Sequence, residues 1–377
     1  MAELGIQLLM AFMASLLVGG LFAWSWTFYR LIKRLPVFPP EPRLPINWGL
    51  AEVLMTLGVY ILATTILGVA ALFAGVQFTE QIPTSSEQDL AQTVQKSATS
   101  EPLSPQAEPS AETETADSEA GSLAISDSET ESTTDRPPPP PHQSAERIGA
   151  FLTIDATARL VTIAVVLGLL SLFDRKIIRR MGWIPKRRDF RLGVVAACML
   201  LPLLFLFQSV LNYYVPYEHS VLDVISQQPP QWVLLAMAFT SVIAAPLAEE
   251  FFFRGMLQGG LQRIANAGLD RQIAAEQQSN LPADTSADLA EEPLAPRRDW
   301  NQIVTSNQVA QWPFWPILVS SLFFALVHFG QGAAPISLFF FSLGLGLLYH
   351  LTGRLWASIT VHAMLNAIST AMAILSV

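Results

Sequence analysis

Cysteine, charge and the signatures of several common enzymes are scarce in this chain. Cys198 is the single cysteine among 377 residues, which excludes an intrachain disulfide and a cysteine-rich metal site. The sequence contains no His-Glu-x-x-His, no Gly-x-Ser-x-Gly and no glycine-rich phosphate loop. No basic residues precede the first apolar run, so a cleaved signal peptide is not expected.

Charged residues make up only 14% of the chain, and the net charge is −9. Most of the acidic residues lie in two polar segments, so the net charge says little about partners. The basic residues flank apolar runs and form no patch of their own. Nucleic-acid binding is therefore not indicated.

Long apolar runs are what the chain has in abundance. Apolar residues account for 51% of it, and eight runs approach the ~20 residues with which a helix crosses a bilayer. They lie at about 5–29, 51–76, 148–173, 192–212, 231–261, 314–330, 335–352 and 355–376. Because helices satisfy their own backbone groups in lipid, the sequence predicts an all-α, polytopic transmembrane bundle of about eight spans.

Basic residues cluster in every second connection between these runs. They are Arg30, Lys33, Arg34 and Arg43 in the first connection, Arg175, Lys176, Arg179, Arg180, Lys186, Arg187, Arg188 and Arg191 in the third, Arg263, Arg271, Arg297 and Arg298 in the fifth, and Arg354 in the seventh. The positive-inside rule places these connections in the cytoplasm and both termini outside. We expect a multi-pass protein of the cell (plasma) membrane.

Two polar segments interrupt the apolar runs. The segment 79–146 is rich in Ser, Thr, Glu and Pro and is predicted to be a disordered acidic linker. The segment 266–311 is predicted to be a polar cytoplasmic insert, partly helical or disordered. The chain is thus divided into a two-span N-terminal extension (1–78), the linker, and a core (147–377) that contains the insert.

The fifth run contains the sequence EEFFFR at positions 249–254. An ionised side chain costs roughly 2.5–3.5 kcal/mol at the centre of a membrane helix, so three in six residues need a reason. Glu250 and Arg254 are four positions apart, which predicts an ion pair on one helix face. Glu249, rotated about 100° away, lacks that partner and is predicted to be a free carboxylate and general base. The alternative is one ionic network of all three.

Two later runs each carry a histidine with a partner four residues away. Phe324 precedes His328, and His362 precedes Asn366. Taken alone, a buried histidine is most often a satisfied core group, and a His/Asn pair can link helices. Together with Glu249 they supply a hydrolytic site, since Glu and His can hold and deprotonate water while His and Asn can donate to an oxyanion.

The third run carries one more pair of ionisable residues. Asp155 and Arg159 have the spacing of neighbours on one helix face. The sequence predicts a local ion pair between them, with no part in the site.

In these motifs the chain resembles the CAAX-protease and bacteriocin-processing (CPBP, Abi) family of intramembrane endopeptidases. That family shows Glu-Glu-x-x-x-Arg, then Phe-x-x-x-His, then His-x-x-x-Asn. This chain has Glu249-Glu250 with Arg254, Phe324 with His328, and His362 with Asn366, in that order. The resemblance covers about 230–376 well and 148–230 by topology only.

The resemblance implies hydrolysis of a peptide bond within or at the edge of the membrane. Carried over by motif, Glu249 activates the water, His328 helps to hold it, and His362 and Asn366 stabilise the oxyanion. Glu250, Arg254 and Phe324 support the site. The family is often described as metalloproteases, and zinc held by Glu249, His328 and His362 is one alternative. A glutamate-activated water without metal is the other.

The implied partners are the lipid bilayer and a protein or peptide substrate in or at the membrane. The family name implies prenylated substrates, but no residue of this chain indicates one. Because Glu249 lies toward the C-terminal end of the fifth run, we expect the active site to face the cytoplasm. His328 comes out deeper, about 20 Å along its run.

Two other classes of function remain open at this point. A proton-coupled transporter also uses intramembrane Glu and His, and repeated half-molecules or matching broken helices would favour it. A catalytically idle scaffold of the same fold would lack a motif residue. The sequence shows neither feature, so the hydrolase is the prediction.

Overall fold

The computed structural model of the protein describes residues 2–35, 37, 46–74, 141–215, 225, 228–268 and 313–375. All of them belong to one compact unit that comprises residues 1–76 and 140–377. Their regular elements are α1 (Ala2–Ile32), α2 (Leu50–Phe73), α3 (Pro141–Phe173), α4 (Ile177–Arg180), α5 (Arg187–Tyr214), α6 (Gln231–Gly268), α7 (Trp315–Leu326), α8 (Ala334–Thr352) and α9 (Leu355–Leu375). No strand occurs in these ranges.

Seven of these helices, namely α1, α2, α3, α5, α6, α8 and α9, are long and apolar enough to cross a membrane. The predicted polytopic α-helical bundle is therefore confirmed. Most of the predicted linker and most of the polar insert lie outside the described residues, although α3 begins at Pro141 and α6 continues to Gly268. Helix therefore extends into the segments that the sequence assigned to disorder.

The apolar run at 314–330 differs from the prediction of a full span. Its helix, α7, has 12 residues, or about 18 Å at 1.5 Å per residue, against the ~30 Å of a bilayer core. The chain turns before α8 through Gly330 and Gly332, whose φ angles are +100° and +56°. Glycine adopts this left-handed conformation without a Cβ clash, so the two glycines end the run early.

Helices α6 and α8 run parallel and meet through polar side chains. Arg254 contacts Ser342, Gln258 donates to the Gly346 carbonyl at 2.9 Å, and the side chain of Gln262 lies 2.6 Å from His350 Nδ1. Each pair is separated by 88 positions in the chain. At that offset the start of α8 is level with residues 246–250 of α6. The α7–α8 turn therefore lies at the depth of the two glutamates.

Helix α6 contains two π-helical segments, Thr240–Ala244 and Phe251–Gln258. Such segments disturb the regular backbone ladder and occur frequently at functional sites. Two carbonyls of the second segment accept side-chain donors from other elements: Phe253 from Ser320 Oγ at 2.8 Å, and Gly255 from Trp48 Nε1 at 3.0 Å. Both donors are buried, so α7 and the segment before α2 hold this part of α6 in place.

Helices α5 and α9 approach closely at one glycine and are joined by one ion pair. A Cβ on Gly193 would lie 2.5 Å from Thr360 Cβ. At the start of both helices, Arg354 contacts Asp189 through Nε and Nη2, at 2.9 and 2.6 Å, and both residues are buried. The sequence analysis counted Arg354 among the cytoplasmic charges. Its charge is instead compensated inside the bundle, so it adds nothing to the charge asymmetry.

The carboxylate of Asp174 fixes the connection after α3. It accepts from the Lys176 backbone N–H at 2.9 Å, from Asn47 Nδ2 at 2.8 Å and from Arg180 Nε at 2.6 Å. The pKa of Asp174 is lowered, chiefly by the Lys176 N–H and further by Asn47 and Arg180. These contacts tie the chain before α2 to the end of α3 and to α4.

Candidate active site

Glu250 and Arg254 lie at the centre of the bundle and are both 0% exposed. Arg254 Nε lies 3.2 Å from Glu250 Oε2, so the predicted ion pair is present. Nη2 of the same arginine donates to Ser342 Oγ at 3.0 Å, and its Cζ lies 4.8 Å from the Phe324 ring centroid. Neither Nε nor Oε2 has hydrogen-bond geometry. The pair is therefore a charge contact rather than a directed hydrogen bond.

His362 lies between the two carboxylates. Its Nδ1 is 2.9 Å from Glu250 Oε1, and its Nε2 is 3.8 Å from Glu249 Oε2. Because a carboxylate can only accept, Nδ1 carries a hydrogen, and in the neutral ring Nε2 is then an acceptor. Nε2 therefore becomes a donor only in the imidazolium form. The residue is 3% exposed, so the arrangement is shielded from bulk solvent.

Glu249 is not the free carboxylate that the sequence predicts. Arg159 of α3 contacts its Oε1 through Nη1 at 3.0 Å. The prediction was wrong because helical spacing reports only partners on the same helix, and this cation comes from another one. The predicted local pair is confirmed, since Arg159 Nε contacts Asp155 Oδ2 at 2.7 Å. Tyr60 of α2 in turn donates its hydroxyl to Asp155 Oδ1 at 2.7 Å.

His328 joins this cluster through Phe324. It lies in the turn after α7, and its Nδ1–H donates to the Phe324 carbonyl at 2.7 Å, which leaves Nε2 as the acceptor nitrogen. The Phe324 ring is buried between the two histidines, with centroids 5.0 Å from His328 and 5.7 Å from His362. In the described residues His328 makes no hydrogen bond to either glutamate.

Asn366 faces the first π segment of α6. Its Nδ2 donates to the Ser241 carbonyl at 2.7 Å. The Ala245 N–H donates to Thr240 O, five residues back, and the next donor in that ladder would be Pro246, which has no N–H. Asn366 thus replaces the missing donor. One of its two amide hydrogens is committed to structure, and one is left for chemistry.

Asn366→Ala should therefore destabilise the protein, by about 1–3 kcal/mol, because it leaves the Ser241 carbonyl without a donor. Pro246→Ala supplies a backbone N–H at the right place in the helix. The double variant Pro246→Ala/Asn366→Ala should accordingly lose less stability than Asn366→Ala alone. Thermal melts in detergent measure all three. Equal melting temperatures for the double and the Asn366 variant would contradict this role of the asparagine.

The residues present do not form a metal site as they stand. In the described ranges no group of three His, Cys, Asp or Glu side chains is arranged to hold an ion. Both ring nitrogens of His362 face carboxylates, Glu249 is paired with Arg159, and the Phe324 ring separates His328 from His362. A structural or catalytic zinc needs at least three protein donors converging on one point. The predicted set of Glu249, His328 and His362 does not meet that requirement.

Sequence reasoning missed Arg159, Ser342 and Ser241 as parts of the site. A signal for the arginine was available in the balance of charge. The α6 motif has two carboxylates and one guanidinium, which leaves one negative charge without a partner in the membrane. Arg159 is a cation in another apolar run. Ser342 and Ser241 have no comparable signal, because serine is common in membrane helices.

The fold and the site define a multi-pass membrane protein with a buried cluster of glutamates and histidines on α6, α7 and α9. Residues 230–278 and 289–368 match the family model of the type II CAAX prenyl endopeptidase Rce1-like proteins. This C-terminal part of the chain belongs to the CAAX protease family, which is a family of membrane proteases. All three motifs lie inside the matched residues, whereas α1, α2, α3 and α5 lie outside them. Comparison with curated proteins and with solved structures finds no match.

Proposed function

We propose that this chain is an intramembrane endopeptidase that hydrolyses a peptide bond of a membrane-associated or cytoplasm-facing protein or peptide. The observation that carries the proposal is the position of His362 between Glu249 and Glu250, inside the part of the chain that matches a protease family. A carboxylate beside an imidazole in a water-poor interior is a suitable place to activate one water molecule.

The proposed reaction begins with a water held by Glu249 Oε2 and His362 Nε2. These atoms are 3.8 Å apart, so one water can lie about 2.8 Å from each of them. Glu249 takes a proton from the water as its oxygen bonds to the carbonyl carbon, and the carbonyl oxygen becomes the oxyanion. The proton then passes to the amide nitrogen as the C–N bond breaks, and the products are a carboxylic acid and an amine.

The other motif residues support this step. Glu250 holds the His362 ring through Nδ1, and Arg254 and Phe324 hold Glu250 in turn. We assign the remaining amide hydrogen of Asn366 to the oxyanion, because His362 donates from Nε2 only after it has gained a proton. His328 Nε2 is assigned to the water or to the substrate.

We also propose that the reaction proceeds without a metal, since the donor set does not converge on one point. Purified protein in liposomes should cleave a peptide at the same rate with and without a strong zinc chelator. A peptide that ends in a prenylated cysteine and its unprenylated twin, added in parallel, report the substrate class. Loss of cleavage on chelation and recovery with zinc would contradict the metal-free step. No cleavage together with proton uptake would favour the transporter.

The proposal includes an active site that faces the cytoplasm, supported by the basic residues of the first and third connections. In a Cys198→Ala background, Arg179→Cys should be protected from a membrane-impermeant thiol reagent in intact cells, and Tyr214→Cys should react. The two positions lie on opposite sides of α5 in the chain, and both are exposed. Both should react after the cells are permeabilised. The opposite pattern would invert the topology and remove the case for cytoplasmic substrates.

A further inference from the structure

We infer that Arg159 is a positioning residue for Glu249, held in turn by Asp155 and Tyr60. Helices α2 and α3, which lie outside the matched residues, would then complete the active site. This inference rests on the proposed function, in which Glu249 is the base. It assigns a task to a part of the chain for which no motif was found.

The contacts form an unbroken line from α2 to the glutamate. The Tyr60 hydroxyl donates to Asp155 Oδ1 at 2.7 Å, Asp155 Oδ2 contacts Arg159 Nε at 2.7 Å, and Arg159 Nη1 contacts Glu249 Oε1 at 3.0 Å. The exposed fractions of the side chains are 14% for Asp155, 24% for Arg159 and 16% for Glu249. Charge contacts that are mostly withdrawn from solvent are stronger than surface pairs.

Arg159 determines which oxygen of the base faces the chemistry. Its Nη1 holds Oε1 of Glu249, and Oε2 is the oxygen that lies nearest to His362 Nε2. The terminal torsion of a glutamate is soft and nearly two-fold, so without this contact the carboxylate can rotate away. Misplacement of a catalytic group by about 1 Å can cost 10²-fold in rate.

The geometry requires an arginine rather than any cation. Arg159 uses Nε toward Asp155 and Nη1 toward Glu249, two nitrogens of one rigid plane. A lysine ammonium is a point charge on a flexible stem and cannot reproduce this fork. Lysine should therefore preserve the charge balance but only part of the orientation.

Asp155 and Tyr60 hold the arginine from behind. Both carboxylate oxygens of Asp155 are occupied, one by Tyr60 and the other by Arg159. Tyr60→Phe removes a single hydroxyl and keeps the ring, so it tests the line without leaving a charge unpaired. The matched controls are Tyr29→Phe, at a tyrosine of α1 that is 51% exposed, and Arg191→Gln, at an exposed arginine of α5.

The first experiment tests the contact without any need for activity. Melting temperatures of the full-length protein in detergent are measured for Arg159→Gln, Glu249→Gln and the double variant. The Arg159 substitution should lower the melting temperature by less than half as much in the Glu249→Gln background as in the wild type, because its partner charge is already gone. Equal shifts in both backgrounds would overturn the inference.

The second experiment tests the role in catalysis, on liposome-reconstituted protein. Arg159→Gln should lower kcat by about 10²-fold, and KM should change by less than a factor of two. Arg159→Lys should lie between this variant and the wild type, Tyr60→Phe should lose several-fold in kcat, and both controls should match the wild type. A merely structural arginine would reduce the amount of folded protein but leave the turnover per folded molecule unchanged, and that result would overturn the inference.

The two possible failures are distinguishable. If Glu249→Gln retains turnover, the proposed function fails, and the positioning role fails with it, even where the melting temperatures show that the pair exists. If Glu249→Gln is inactive while Arg159→Gln and Tyr60→Phe turn over as the wild type does, the proposed function stands and the positioning role is refuted. If Arg159→Gln fails to fold, Tyr60→Phe and Arg159→Lys decide between the outcomes.

Discussion

Glu249→Gln should lower the turnover of the reconstituted protein by about 10²–10⁴-fold, the usual contribution of a general base. Glutamine keeps the size of the side chain and can still contact Arg159 through its amide oxygen, but it cannot accept the proton of the water. The bundle should therefore fold, because the buried pair of Glu250 and Arg254 is untouched. Turnover per folded molecule, measured with the peptide substrates in liposomes, is the quantity to compare.

Glu52→Gln is the matched control for this substitution. Glu52 lies in the first turn of α2, where its Oε2 accepts the Gly49 backbone N–H at 2.7 Å. The same chemical change there should leave turnover within about twofold, since single surface or capping changes are small. Near-normal turnover of the Glu249 variant would remove this glutamate from the catalytic step and, with it, the proposed function.

Glu250→Ala and Arg254→Ala should each lower the free energy of unfolding by about 3–5 kcal/mol, because each leaves the other charge unpaired in the interior. Both side chains are fully buried. The double variant Glu250→Ala/Arg254→Ala removes both charges, so it should be more stable than the worse single variant. Thermal or denaturant melts of purified protein in detergent measure the three values.

The gain in the double variant has an upper limit that the contacts set. Arg254 also contacts Ser342 and Phe324, and Glu250 also holds His362. These groups lose their partners in the double variant as well, so the stability should not return to that of the wild type. Arg191→Ala, at an exposed position, should change stability by no more than about 0.5 kcal/mol. A double variant as unstable as the worse single one would contradict the ion pair.

Two kinds of information in the sequence were sufficient for much of this protein. Apolar runs near 20 residues predict seven membrane-length helices, with bounds that differ from the observed ones by a few residues at most ends. Hydrophobic length is a local property, so no tertiary contact is needed to read it. The spacing of Glu250 and Arg254 predicts their ion pair for the same reason, because both partners lie on one helix.

The order of the motifs also carried the family without any structure. Glu249 with Glu250 and Arg254, then His328, then His362 and Asn366 lie inside the residues that match the CAAX protease family model. The chemistry that the motif residues were assigned stays a prediction, to be decided by the variants above. What the motif order could not state is which atoms of these residues meet.

Contacts between helices were decided only by the tertiary structure. Arg159 reaches Glu249 across 90 positions of the chain, Asn366 reaches the Ser241 carbonyl across 125, and Asp189 compensates Arg354 across 165. Spacing rules apply within one helix, and they contain nothing about which faces of different helices pack together. The pairing of faces depends on the shape of the whole bundle and on close approaches such as Gly193 against Thr360. The composition of each run therefore determined that it is a helix, and the packing between helices determined the active-site geometry.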